Sequence, residues 1–226
     1  PLAQQLAAPV SQALSGLHAA LNQRDTFDPA TSRRAFTVAM TDIGEIYFLP
    51  RLMEALATRA PGIRINTALN ATGALREEME EGRIDLAIGL LPQLQGGFFQ
   101  RRLFMQPYVC LLRRGHPLDR GPERGIDLQA FEAAQHVPVM SAGTGHGRVD
   151  DLLARAGVQR DVRLVVPHFV AVGHILSSTD MLATVPERFA RMTTEPFRLV
   201  AYRHPASLPD IPIHVFWHAR QHRDEG

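Results

Sequence analysis

The residues with the clearest chemical potential form two polar turns, each placed directly after an apolar, strand-like run. The first turn is Thr41-Asp42, which follows the alternating residues Phe36, Val38 and Met40 and precedes an amphipathic helical pattern. Its hydroxyl, carboxylate and free backbone N–H groups could hold a polar ligand, because open α/β sheets bind ligands where strands end. Thr and Asp are also favoured helix caps, and both roles can coexist.

The second turn is the glycine-rich run 142–147, which follows a strand-like run as the first turn does. Its backbone N–H groups could face an anion, and His146 could add a charge-assisted hydrogen bond to a carboxylate. The alternative is a flexible turn that exposes His146. Two such turns facing each other would leave a cleft suited to clamping a small molecule.

The residue pattern shows no catalytic machinery. The chain contains neither the phosphate-loop motif G-x-x-x-x-G-K-[ST] nor the nucleophile elbow G-x-S-x-G. Cys110 lies in the apolar run YVCLL and is predicted to be buried. His214, His218 and His222 are spaced four apart, but the β-branched and aromatic run 211–217 favours a strand, which separates them. We therefore expect no metal, no cofactor and no enzymatic activity.

The composition is that of an ordinary soluble globular protein. The 226 residues are 45% hydrophobic and 21% charged, and the formal net charge of +1 gives no electrostatic case for nucleic-acid binding by this segment. A single cysteine rules out an internal disulfide and fits a reducing compartment. The sequence has no signal peptide and no membrane-spanning run, so we expect a cytoplasmic protein without membrane contact.

The elements that must position the two turns alternate between strand and helix. Strand-like runs occur near 36–40, 63–65, 84–89, 101–113 (broken at Gln106-Pro107), 137–140, 162–166, 181–185 and 211–217. Helical patterns follow the first turn up to Pro61-Gly62 and occur near 72–81, 128–134, 150–156, 170–177 and 186–189. This alternation predicts an α/β fold with largely parallel sheets.

The first 24 residues carry a narrow apolar stripe of the coiled-coil kind. Its members recur at intervals of three or four residues and are Leu6, Val10, Leu14, Leu17 and Leu21. We predict a linker helix over 1–24 that pairs with a second chain through this dimerisation seam. The alternative is an amphipathic helix docked on its own domain.

Several long motifs, taken together and in order, resemble the LysR-type transcriptional regulators. They are TDIGEIYFLPRLMEAL, GRIDLAIGLLP, GFFQRRLF, GTGHGRVDDLLARAG, RLVVPHFVAVG and SSTDMLATVP. The resemblance runs from about Arg33 to Asp224 and is greatest to the branch that senses salicylate, nitroaromatic compounds and plant flavonoids. It implies an effector-binding domain that controls DNA binding and transcription.

The family resemblance also implies an architecture and a set of partners. The expected fold is α/β and periplasmic-binding-protein-like (type 2), with two Rossmann-like subdomains joined by two crossing strands. Subdomain I would comprise 31–98 and 206–226, and subdomain II would comprise 99–205. An N-terminal winged helix-turn-helix, absent from this chain, would bind promoter DNA. The protein would act as a homodimer or homotetramer.

Carried over to this sequence, the family's effector cleft would bind a small aromatic compound. Its residues would be Thr41, Asp42, Ile43, Tyr47, Phe48, Gln106, Thr144, His146, Phe169, Val170 and Ile213. Tyr47 and Phe48 would wall the aromatic ring, while Thr144 and His146 would face a carboxylate or nitro group. Gln106 stands where the resemblance places a His in salicylate-sensing members, and a neutral Gln offers no fixed positive charge.

Two other classes of protein remain open from the residues alone. A solute-binding protein of a transporter would use the same kind of cleft but would need a signal peptide or lipid anchor upstream. An α/β enzyme, such as a hydrolase acting on an aromatic ester, would need a nucleophile and base that the residue pattern does not supply.

Overall fold

The computed structural model describes residues 27–69, 73–121, 124–140 and 145–224, and these fold around two five-stranded sheets. Thr144 and the predicted linker helix with its dimerisation seam lie outside the described residues. Within the described ranges, no helix is both long enough and apolar enough to cross a bilayer.

The strands and helices follow one another in the alternating order that the sequence predicts. The strands are β1 (Ala35–Met40), β2 (Arg64–Leu69), β3 (Leu86–Gly89), β4 (Phe98–Gln106), β5 (Tyr108–Arg113), β6 (Gln135–His136), β7 (Asp161–Val162), β8 (Met181–Pro186), β9 (Leu199–Arg203) and β10 (Ile211–His218). The helices are α1 (Asp42–Arg59), α2 (Leu75–Glu81), α3 (Leu128–Ala133), α4 (Val149–Arg155), α5 (Val170–Ser177) and α6 (Glu187–Thr193). Short 3₁₀ turns cover Gly145–Arg148 and Ala219–Gln221.

Both sheets are mixed, so the predicted largely parallel pairing is wrong. The first sheet has the order β2-β1-β3-β10-β4, with β10 antiparallel to both of its neighbours. The second has the order β7-β6-β8-β5-β9, with β5 antiparallel to both of its neighbours. The strands β5 and β10 each enter their sheet from the other sheet. Parallel neighbours need a long crossover connection, usually a helix, and a strand that arrives from the other sheet is free of that requirement.

The chain passes between the sheets twice, which confirms the predicted pair of crossing connections. The first crossing joins β4 to β5 at Pro107, and the second joins β9 to β10. Pro107 has no N–H to donate to a ladder, and it lies in the predicted break at Gln106-Pro107. The predicted subdomain boundary at residue 99 lies near the start of β4, whereas the change of sheet occurs at Pro107.

Three strands differ from the predicted ones. The strand predicted over 162–166 pairs only at Asp161–Val162, as β7. Instead of a strand over 137–140, only Gln135–His136 pairs as β6, and Val139 forms an isolated bridge with Val166. Pro138 interrupts this ladder because it lacks an N–H. Strand β9 was not predicted, although its Leu199 and Tyr202 are buried.

Apolar core clusters lie on both faces of the second sheet, and β5 contributes side chains to both clusters. Cys110 and Leu112 point to the cluster that contains Phe131, whereas Val109 and Leu111 point to the opposite cluster. This alternation follows the two-residue period of a strand. The buried, free thiol of Cys110 confirms the prediction of a core cysteine.

Candidate functional site

One cavity lies between the two sheets, where the first turns of α1 and α6 approach the crossing strands. Six of the predicted effector residues line it, and they are Thr41, Ile43, Tyr47, Phe48, Gln106 and Ile213. The remaining lining comes from Gly44, Ile88, Gly89, Phe104, Arg188 and Phe189. The cavity volume is about 40 Å³, which is enough for a few water molecules.

Thr41 is at once a helix cap and a wall of this cavity. Its Oγ accepts a hydrogen bond from the Gly44 N–H at 3.4 Å and thereby caps α1, as its sequence position predicts. A hydroxyl that accepts one hydrogen bond can still donate its own hydrogen to a ligand. Gly44 keeps this turn close to β1, since a Cβ there would lie 3.0 Å from the Cβ of Met40.

Three aromatic rings form one side of the cavity. Tyr47 and Phe48 meet edge to face with ring centroids 4.9 Å apart, and Phe104 lies 5.7 Å from Tyr47 and 6.2 Å from Phe48. Such spacings are typical of favourable aromatic contacts. Ile213, opposite Phe104 in the β4–β10 ladder, adds an aliphatic contact at the start of a β-bulge. The resulting surface suits the faces of a flat apolar ligand.

Arg188 reaches from α6 onto this aromatic surface. Its guanidinium carbon lies 3.8 Å from the ring centroid of Phe104 and 5.2 Å from that of Tyr47. Its Nη1 also donates a hydrogen bond to the Tyr47 hydroxyl. No carboxylate among the described residues forms an ion pair with Arg188. The contacts of the Arg188 guanidinium in the cavity are therefore two aromatic rings and the Tyr47 hydroxyl.

Gln106 holds the helix that carries Arg188. The Gln106 side chain is 5% exposed, and its Oε1 accepts a hydrogen bond from the backbone N–H of Arg188 at 3.1 Å. Helix α6 begins after Pro186, which has no side-chain acceptor, so Gln106 supplies the missing cap from another strand. Gln106 therefore lines the cavity and also positions Arg188, the one cationic side chain among the lining residues.

Asp42 and Val170 meet across the gap between the two sheets. The Asp42 Oδ2 accepts a hydrogen bond of 2.8 Å from the Val170 N–H, the first amide of α5. The Val170 side chain is 54% exposed. These two predicted effector residues contact each other rather than the cavity described above, and they link the first turn of α1 to the second sheet.

Phe169, Thr144 and His146 are the remaining predicted site residues. Phe169 is 2% exposed and packs against Phe189 with centroids 5.4 Å apart, so it belongs to the core of the second sheet. It also borders a separate small cavity that includes Arg160. Thr144 and the side chain of His146 lie outside what the structure describes.

Sequence reasoning missed Arg188 and Phe104, which dominate the cavity. Residue type alone did not single them out, because Arg188 is one of 24 basic residues and Phe104 is one of 11 phenylalanines. The proline at the start of α6 could have pointed to Arg188, because a helix beginning at a strand end places its first side chains near a cleft.

A larger apolar recess lies on the other side of α1 and was not predicted. It has a volume of about 650 Å³ and is lined mainly by apolar side chains of α1, β1, β3 and β10, among them Leu52, Leu56, Phe36, Leu86 and Trp217. None of the predicted effector residues borders it.

The family comparison identifies the kind of domain. A family model described as the LysR substrate binding domain matches residues 29–226. The HTH-type transcriptional activator NagR of a Ralstonia species is 56% identical over 226 residues, which is 100% of this chain and 74% of NagR. The HTH-type transcriptional activator NahR of Pseudomonas putida is 54% identical over 224 residues, which is 99% of this chain and 74% of NahR.

Solved structures agree with this fold. A probable transcriptional regulator from Pseudomonas aeruginosa aligns with a TM-score of 0.80 and 34% identity, covering 98% of this chain and 73% of that chain. The BenM effector binding domain, solved with its effector benzoate, aligns with a TM-score of 0.68. Its 17% identity, over 85% of this chain and 86% of that chain, supports a shared fold.

Proposed function

The chain belongs to the family of LysR substrate-binding domains, and we propose that its effector is a small aromatic carboxylate bound in the cavity beside Arg188. The observation that carries this proposal is a guanidinium without a carboxylate partner, lying on three aromatic rings between the two sheets. The aromatic faces suit the effector's ring, and the guanidinium suits its carboxylate, with which it can form two parallel hydrogen bonds.

Binding would require a change in contacts between the sheets. The cavity of about 40 Å³ is too small for a ring, because the Arg188 guanidinium already covers Phe104. A ring therefore enters only when Arg188 leaves Phe104 or when the sheets separate. The effector would bind the rearranged state more tightly, and this difference in affinity is what shifts the balance between states.

The proposal extends to the whole regulator. A cytoplasmic homodimer or homotetramer would bind promoter DNA through an N-terminal winged helix-turn-helix and would pair through the seam at residues 6–21. The relatives named above carry the description HTH-type transcriptional activator, which supports this reading. They are regulators, so the chain is not an enzyme, and a transporter's solute-binding protein is not favoured.

Calorimetric titration of the 226-residue chain tests the effector assignment. The ligand panel contains aromatic carboxylates, neutral nitroaromatics and flavonoids. Arg188→Met should weaken the best carboxylate by about 10- to 100-fold, since a hydrogen bond to a charged group contributes about 1.5–3 kcal/mol. A neutral nitroaromatic should lose much less.

Arg191→Met is the matched control, because Arg191 lies one turn further along α6 and pairs with Glu187 at the surface. Its affinities should equal those of the unmodified chain. The effector assignment is wrong if no member of the panel binds more tightly than about 1 mM. Equal losses in the two Arg variants would contradict the role given to Arg188.

A further inference from the structure

The apolar recess beside α1 has the size and the lining of a ligand pocket. Its volume of about 650 Å³ lies within the range of small-molecule sites, whereas protein interiors contain few voids larger than a water molecule. Helix α1 runs for 18 residues without one fully buried side chain, and its Leu52 and Leu56 border the recess half-buried. Apolar surface of this extent, rimmed by polar residues, marks a binding site.

A polar side chain of the recess carries an acceptor that has no partner. Gln221 borders the recess, and its Nε2 donates a hydrogen bond of 3.1 Å to the Oδ1 of Asp85, so the other terminal atom is the oxygen. Among the described residues, this Oε1 is one of three buried side-chain polar atoms without a hydrogen bond. A buried acceptor left unpaired is costly, so the recess calls for a hydrogen-bond donor at Gln221.

The charged side chains of the recess favour a neutral ligand. Arg34 lies between two aspartates, with its Nη1 2.6 Å from the Oδ1 of Asp224 and its Nη2 3.6 Å from the Oδ1 of Asp85. Arg59 is the other arginine of the described lining, so two formal positive charges match two negative ones. An ion would find no excess of opposite charge here, in contrast to the cavity beside Arg188.

We propose that the recess is a second small-molecule site, which binds a neutral, largely hydrocarbon molecule that carries one hydroxyl or N–H group. The hydrocarbon body packs against Phe36, Leu56 and Trp217, and the donor group hydrogen-bonds to the Oε1 of Gln221. A few fixed polar groups orient a ligand in a mostly apolar pocket. None of the described lining residues borders the cavity beside Arg188, so this site goes beyond the proposed function and does not depend on it.

Two neutral probes of similar size test the proposal. They are 1-adamantanol, which has a hydroxyl donor, and 2-adamantanone, which has only an acceptor. Trp217 is the single tryptophan of the chain and borders the recess, so its indole fluorescence reports binding. Both probes should change this fluorescence to saturation. The alcohol should bind about 3- to 10-fold more tightly, because it can donate to Gln221. Equal affinities for the two probes would refute the hydrogen bond.

Gln221→Leu tests the acceptor, because it removes the amide and keeps a side chain of similar size. This variant should lose the preference for the alcohol while its affinity for the ketone stays unchanged. Gln100→Leu is the matched control, since Gln100 is exposed on β4 and does not border the recess. It should keep the preference for the alcohol. A preference that persists in Gln221→Leu would contradict the role given to Gln221.

Leu56→Asp tests the location of the site. A carboxylate in the apolar recess should weaken both probes at least about 10-fold. Ala55→Asp is the control, because it places the same charge on an exposed position of the same turn, and it should bind both probes normally. Leu52→Asn, a milder change on the same side of α1, replaces Leu56→Asp if that variant does not fold.

Two results would overturn the site as a whole. Unchanged affinities in the Leu56 and Leu52 variants would place the probes elsewhere on the protein. If neither probe changes the fluorescence of Trp217 in the unmodified chain at up to about 1 mM, the recess does not take small molecules of this class. In that case another segment of polypeptide covers its apolar lining.

Discussion

Two buried histidines should make the second sheet sensitive to acid. Burial lowers the pKa of His136 to about 4 from its ordinary 6.5, and Arg160 adds to this lowering. Burial likewise lowers the pKa of His204 to about 4. One shared ring, Phe131, meets both imidazoles in T-shaped contacts at centroid distances of 4.5 and 4.9 Å. Both histidines are therefore neutral in the folded protein at pH 7.

The hydrogen bonds of the two imidazoles bear on the uptake of a second proton. The Nε2 of His136 lies 2.7 Å from the Phe131 carbonyl, and its Nδ1 is buried without a partner. A proton on Nδ1 would therefore have no acceptor. The Nδ1 of His204 lies 3.1 Å from the Ala206 N–H and 3.2 Å from the Ala206 carbonyl, and this carbonyl offsets part of the lowering of the His204 pKa by burial.

The size of the effect follows from the two pKa values. As the pH falls below about 6.5 the unfolded chain takes up protons first, and the folded chain follows only near pH 4. Stability is therefore fully present above pH 6.5 and is lost between 6.5 and 4. At pH 5 the loss is about 2 kcal/mol for each histidine.

Urea unfolding at pH 7 and pH 5 measures this loss. His136→Gln retains a donor for the Phe131 carbonyl but does not titrate, so its free energy of unfolding should fall by about 2 kcal/mol less between the two pH values. His168→Gln, at an exposed position, is the control and should behave as the unmodified chain does. An unchanged pH dependence in His136→Gln would refute the argument.

Two further substitutions probe contacts between the sheets. Gly145 donates its N–H to the Leu90 carbonyl at 2.8 Å, and a Cβ there would overlap the Leu90 side chain. Gly145→Ala should lower the free energy of unfolding by about 1–3 kcal/mol and increase the radius of gyration measured by X-ray scattering. Gly73→Ala is the control, because a Cβ at Gly73 would meet open space, and it should change neither quantity. Gln106→Ala removes the cap of α6 and should lower the free energy of unfolding by about 1 kcal/mol, measured in urea; no change would mean that water replaces the cap.

Local signals in the sequence predicted much of the fold. Thr41 starts α1, Gly82 ends α2 in the left-handed conformation, and the break at Gln106-Pro107 separates β4 from β5. Each of these depends on a residue's own backbone preferences. The parallel pairing was wrong because strand direction depends on which sheet a strand enters, and local sequence does not encode this.

Only part of the site was predicted, because contacts between distant parts of the chain are not visible in local sequence. Family motifs supplied the cavity residues of α1, because these lie within one continuous stretch of sequence. The contact of Arg188 with Phe104 joins distant parts of the chain. The partner of Asp42 is a backbone amide, whose position no side-chain pattern reports.

The position of β10 has a consequence for how the protein forms during synthesis. This last strand lies inside the first sheet, between β3 and β4, rather than at its edge. The second sheet is complete once β9 has been made, whereas the first has a gap until β10 leaves the ribosome. β4 meanwhile has no neighbour in its own sheet, because β10 is the strand with which it pairs there. The second sheet, built from the middle of the chain, can thus fold before the first sheet is complete.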